Sequence, residues 1–161
     1  MGHVDFYEIR RIVAEMKERE KNYPKPKVDL GPPSTKEECR EAIKKVKPLV
    51  DVVKKVVKLK MNGQNIPLTI EKIDELDNHA HTLVRYEKIA TKFSGVYAKH
   101  ICKHLRKLKE LENEPEDEIT KEEVKDSLLW MVKHAEHLKD NIRHAEIHEL
   151  SEYRGWFDEQ V

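Results

Sequence analysis

The hydrophobic positions of this chain fall on helical stripes. From residue 73 to 111 the line Ile73, Leu76, Ala80, Leu83, Glu87, Ala90, Ser94, Tyr97, Ile101, His104, Leu108, Leu111 advances in alternating steps of three and four. Those steps hold one side of a helix in a single stripe, which must be buried against other helices. A second line follows after a short acidic loop: Val124, Leu128, Met131, Ala135, Leu138, Ile142, Ala145. Two long amphipathic helices joined in this way predict an antiparallel hairpin. The fold class is all-α: an antiparallel four-helix bundle with a long central helical hairpin.

Two further helices precede the hairpin. The first covers about residues 4–22, with Phe6, Ile9, Val13 and Met16 on one face, and packs through the last three. It stops before Tyr23-Pro24-Lys25-Pro26, because proline cannot extend a helix and restricts the residue before it. The next starts at Ser34, where Ser34/Glu37 has capping-box spacing, as does Thr35/Glu38. It runs to about Met61 with Ile43, Val46, Val50, Val53 and Val57 inward and a kink at Pro48. Asn62-Gly63-Gln64-Asn65 reads as a turn. Thr69 is placed to cap the third helix, Ser94-Gly95 to bend it, and Thr120 with Glu123 to cap the fourth. That helix extends to about residue 152, where Gly155 stops it. The organisation is one helical domain, 1–161: first helix 1–22, proline-rich connection 23–34, core helices 35–152 and aromatic tail 153–161.

A chain of 161 residues is long enough to bury a sizeable core. Charged residues make up 39% of it, and the formal net charge is zero. No global field therefore draws it to nucleic acid or to an acidic membrane, and any attraction must be local. Locally the charge is segregated. Residues 44–60 hold seven lysines against Asp51, and residues 85–109 hold eight lysines or arginines against Glu87. Residues 110–126 hold nine acids against Lys121 and Lys125. If the two basic segments pack side by side they form a phosphate-binding face made of Lys44, Lys45, Lys47, Lys54, Lys55, Lys58, Lys99, Lys103, Arg106 and Lys107. The bland alternative is that these lysines pair with the acidic segment of the same chain. Lysine outnumbers arginine and few aromatics are interleaved, which argues against base-specific readout and single-strand stacking. A membrane-surface role for 44–60 would compete with the core for the valine face.

The chemistry of sites adds little. Cys39 and Cys102 lack metal-clip spacing and read as small core residues of a reduced, intracellular protein, cytoplasmic or nuclear. No apolar run approaches the ~20 residues of a membrane span. Met1-Gly2-His3 opens no secretory leader, and Phe6 does not fit a myristoylation signal. No phosphate loop, nucleophile elbow or zinc-protease pair occurs, so no enzyme and no cofactor is expected. Of the nine histidines, His79 or His81 with Glu87, His144 and His148 are the set that could converge on a metal, if they sit level in the hairpin. His100 and His104 lie too far along it to join them. Ordinary surface histidine is the expected outcome, with no metal. A rival to polyanion binding is a protein–protein or assembly module anchored by Tyr23, Trp156 and Phe157, since aromatics are frequent interface anchors.

Cys39-Arg40-Glu41, then Val46-Lys47, Lys88-Ile89 and Leu129-Trp130-Met131-Val132 resemble the helical C-terminal module of chromodomain helicases over about residues 36–135. Ala90 stands where that family has glycine, and the helices are spaced more widely. The resemblance implies a helical, DNA-contacting module of chromatin and assigns no individual residue.

Overall fold

The computed structural model describes residues 6–22 and 30–151. Six α-helices run in order: α1 (Phe6–Asn22), α2 (Lys36–Val46), α3 (Leu49–Met61), α4 (Ile70–Val84), α5 (Ile89–Leu111) and α6 (Glu118–His144). A single π-helical turn, Ala145–Glu149, continues α6. No strand occurs among the described residues.

The chain divides into two compact units, Met1–Gly31 and Pro32–Val161. The first contains α1, an amphipathic helix that carries Ile9, Val13 and Met16 on one face.

In the second unit, the helix expected from about 35 to 61 is two helices. Thr35 starts α2 through a complete capping box with Glu38. Ser34 takes another role: its hydroxyl donates to the Thr82 carbonyl at 2.6 Å. Pro48 lacks an N–H, so the ladder stops at Val46 and resumes at Leu49. The break rotates the inner face. Val46, Leu49, Val53 and Val56 are buried, while Val50 and Val57 are only partly so. The valine face thus belongs to the core and is closed to a membrane.

The larger correction concerns residues 70–111. The expected unbroken helix stops at Val84, turns through 85–88 and starts again at Ile89. The chain reverses there, and α5 packs back on α4. Asp74 meets Arg106 at 2.8 Å and Asp77 meets Lys99 at 3.6 Å, so rising numbers on α4 face falling numbers on α5. Gly95 lies inside the continuous helix α5 at a close approach to α4, where a Cβ would lie 2.5 Å from the Ala80 carbonyl oxygen and 2.6 Å from the Val84 nitrogen. Glu87, expected on the buried stripe, is exposed in the turn.

Both helix ends created by this break are satisfied from a distance. Ser34 donates its N–H to the Arg85 carbonyl at 3.2 Å. The Glu149 carboxylate accepts from the N–H groups of Ala90 (2.9 Å) and Thr91 (2.7 Å) and from the Thr91 hydroxyl (2.7 Å). These are the donors a helix N-terminus leaves unpaired. The π-helical turn presents Glu149 in that position, closed by the Leu150 N–H donating to the Ala145 carbonyl at 2.8 Å.

Helix α6 is capped by Asp117, whose side chain accepts from the Thr120 N–H, and not by Thr120 itself. It packs on α5 and on α3. The predicted inward positions Met131, Ala135, Leu138, Ile142 and Ala145 are buried. At the opposite end of the unit, Glu112 is a hub. It accepts from the Ile66 N–H at 2.7 Å and pairs with Lys60 at 3.0 Å and Lys109 at 3.2 Å, its side chain 9% exposed. Burial alone would raise the Glu112 carboxyl, but these hydrogen bonds more than offset it and hold the group below the ordinary carboxylate range.

Candidate functional site

The ten cations of the expected phosphate face separate into groups. On α5, Lys99 and Arg106 are turned to the acids of α4, Arg106 reaching Asp74 at 2.8 Å and Asp77 at 3.5 Å. On α2, Lys44 pairs with Glu41 at 3.1 Å. Lys47, just past its end, reaches Glu146 at 3.0 Å. Lys45, Lys54, Lys55, Lys58, Lys103 and Lys107 are exposed and form no ion pair among the described residues. Helix α3 packs chiefly on α6 and meets α5 where Lys60 pairs with Glu112. Of the α3 lysines, Lys54 lines the groove against α6, while Lys60 shares Glu112 with Lys109 of α5.

That packing supplies cations which the sequence did not single out. A groove of about 470 Å3 between α3 and α6 is lined by Lys47, Asp51, Lys54, Lys139, Arg143 and Glu146 over an apolar floor of Val50, Ile142 and Ile147. Lys139 and Arg143 were hidden because α6 is mixed in charge, and only the fold brings them opposite α3. The acidic segment does not neutralise this face. Among the described residues, Glu112 takes Lys60 and Lys109, and Glu118 and Glu122 take Lys121 and Lys125 on their own helix.

A second constellation lies along the outer seam of α5 and α6. Tyr97 stacks on His137 with ring centroids 5.1 Å apart. His134 stacks on His100 at 5.0 Å, on His104 at 5.8 Å and on Trp130 at 5.8 Å. Phe93 stands 6.3 Å from Tyr97, and Lys133 lies 5.1 Å over the Trp130 ring. Helical spacing makes this strip: Phe93, Tyr97, His100 and His104 recur every three or four residues on α5, as do Trp130, His134 and His137 on α6. Burial, followed by the fields of His100, His104 and His137, pushes His134 down to about 4. Burial, followed by the charge of Lys103, also lowers His104. Both rings are therefore neutral at pH 7. His100 and His104, which the sequence set apart from His144 and His148, lie on α5 against His134 of α6.

The metal hypothesis is not met. Glu87 is in the turn, and His79 is on α4 beside Glu75 at 4.0 Å. His144 and His148 contact each other with ring centroids 4.6 Å apart. Among the described residues no three His, Cys, Asp or Glu side chains converge as ligands. In the α5–α6 strip the imidazoles present ring faces to one another, and not convergent nitrogens. Cys39 and Cys102 are buried, and that burial pushes both thiols up to about 12, so neither is a nucleophile at neutral pH. Tyr23, Trp156 and Phe157, the expected partner anchors, lie outside the described residues.

No protein-family model matches the chain, and no match was found among curated proteins or solved structures. The likeness to the chromodomain-helicase module therefore rests on its four short segments. The structure puts them at α2, at the start of α5 and on α6. No helix among the described residues is long and apolar enough to cross a membrane.

Proposed function

We propose that the protein is a non-enzymatic module that binds nucleic acid, or a polyanion of similar charge density, through the lysine face of α2–α3 and the adjoining α3–α6 groove. In this reading α2 and α3 act as one kinked rod, and with α4, α5 and α6 they form an antiparallel four-helix bundle. Cys39 and Cys102, both free thiols, suit a reducing, intracellular setting. The observation that carries the reading is the set of exposed cations Lys45, Lys54, Lys55 and Lys58, which the acidic segment leaves unneutralised. Lys139 and Arg143 extend it onto α6. Cations of this kind gain affinity by releasing counterions from phosphates, without reading sequence.

Fluorescence anisotropy with duplex DNA and duplex RNA at two salt concentrations tests it. Engagement of four lysines gives a log–log salt slope of about −3 to −4. Lys54→Glu with Lys58→Glu lowers the affinity and flattens the slope. Absence of binding at low salt, or binding without salt dependence, overturns the reading.

A further inference from the structure

We propose that the outer seam of α5 and α6 is a stacking platform for unpaired nucleobases, with Tyr97, His100, Trp130 and His137 as the planes and Lys103, Lys107 and Lys133 as phosphate contacts along its edges. The site is separate from the α3 lysine face and needs none of its residues.

Three observations carry it. The first is geometry. The planar side chains already lie in one ladder, with neighbouring centroids 5.0 to 6.3 Å apart. From Phe93 to His104 the ladder is about 16 Å long at 1.5 Å per residue, which matches on the order of five nucleotides. The second is access. Trp130 and Phe93 are each 46% exposed, and His100 and His137 are exposed as well, so the outer side of the ladder is within reach of a ligand. The third is charge. Lys103 and Lys107 are exposed, unpaired among the described residues and close enough to act on His104. Lys133 covers part of Trp130. Lysine beside aromatic planes is the pairing that single-strand binding uses: backbone attraction along a groove, with stacking that tolerates any base.

The expectation that aromatics are too sparse near the lysines for single-strand stacking was drawn along the sequence alone. Along the sequence they are sparse. Two helices each contribute a short series, and the antiparallel seam merges them.

The test compares three strands of about a dozen units: oligothymidine, oligouridine and an abasic deoxyribose-phosphate strand of the same charge. The full chain carries Trp156→Phe, so that Trp130 is the only tryptophan left of the two in the sequence. The two base-bearing strands should quench Trp130 fluorescence and bind about tenfold more tightly than the abasic strand. Unequal binding of oligothymidine and oligouridine tells DNA from RNA as the preferred source of the bases. Trp130→Ala, made in the wild-type background and followed by anisotropy, should bring the base-bearing strands down to abasic affinity. Heparin binding should be unchanged. His137→Ala should act in the same direction, and circular dichroism melts verify that each variant is folded. Equal affinity for base-bearing and abasic strands overturns the proposal, as does full affinity in Trp130→Ala. It is also overturned if sedimentation shows a dimer that Trp130→Ala dissociates, because the strip is then a contact between copies. The α3 reading stands or falls separately, on duplex binding and the Lys54→Glu, Lys58→Glu variant.

Discussion

Gly95 shows how much one missing side chain decides. A methyl group there would meet backbone atoms of α4 at 2.5 and 2.6 Å, and backbone cannot swing aside as a side chain can. Alanine would favour the helix by about 1 kcal/mol. Forcing α4 and α5 apart costs about 3 kcal/mol, the upper range for overpacked cores. Gly95→Ala should therefore destabilise the protein by about 2 kcal/mol, read as a lower urea midpoint. A neutral result would mean that α4 sits farther from α5. His134 makes a prediction of a different kind. Unfolded, it takes its proton near 6.5; folded, near about 4. Between those values the unfolded state binds more protons, so stability declines as pH falls through that window. Denaturation midpoints measured from pH 7 to 4.5 should fall, and His134→Phe should flatten the decline. Below about 4.5 the lowered carboxyls of Glu112 and Glu149 take over, because their stabilisation is present above the ordinary carboxylate pKa and is lost on acidification.

Among elements, the start of α5 is held by a partner far away in the chain. Burial alone would raise the Glu149 carboxyl, but hydrogen bonds from Thr91 and Ala90 outweigh it and keep the group ionised and accepting. Loss of a capping acceptor costs about 1–2 kcal/mol. Glu149→Ala should lower stability by about that amount, and hydrogen exchange should show the loss concentrated at the amides of residues 90 and 91. Glu149→Gln, which still accepts through its carbonyl, should recover part of it. The same region marks where the sequence was legible. Local chemistry was readable: the Thr35–Glu38 capping box, the Thr69 cap, the turn at 62–65 and most buried positions of α6 came from spacing alone. The reversal at 85–88 was not, because the heptad register runs through it unbroken and no glycine or proline marks it. Its one local trace was a charge, Glu87, on a stripe otherwise fit for burial. What fixes the break is tertiary: Gly95 admitting α4, Ser34 closing one helix end and Glu149 the other. The α5–α6 strip escaped for the same reason, since its two series lie more than twenty residues apart in sequence.

For the molecule as a whole, the division at Gly31/Pro32 carries its own expectation. The buried core from Cys39 to Leu150 lies wholly within the second unit. A fragment comprising residues 32–161 should fold cooperatively and keep the urea midpoint of the full chain within about 0.5 kcal/mol of stability, the range for changes away from a core. A lost or broadened transition would show that residues 1–31 complete the fold. The zero net charge acquires a different meaning at this scale. Asp74 and Asp77 of α4 and Glu112 at the end of α5 are committed to cations inside the same unit, while exposed lysines without an ion pair among the described residues stand on α3 and along the α5 edge. In the proposed reading these lysines would give salt-sensitive binding without a global pull.

The long reach from Glu149 back to Thr91 also sets an order in time. The acceptor is synthesised 58 residues after the helix it closes. At about 5–20 residues per second, a ribosome makes the beginning of α5 wait roughly 3–12 s for its cap. Until then the corner between α4 and α5 rests on Ser34, on the Asp74–Arg106 and Asp77–Lys99 pairs and on the packing at Gly95. The cap on α5 thus becomes available only once residue 149 has been made.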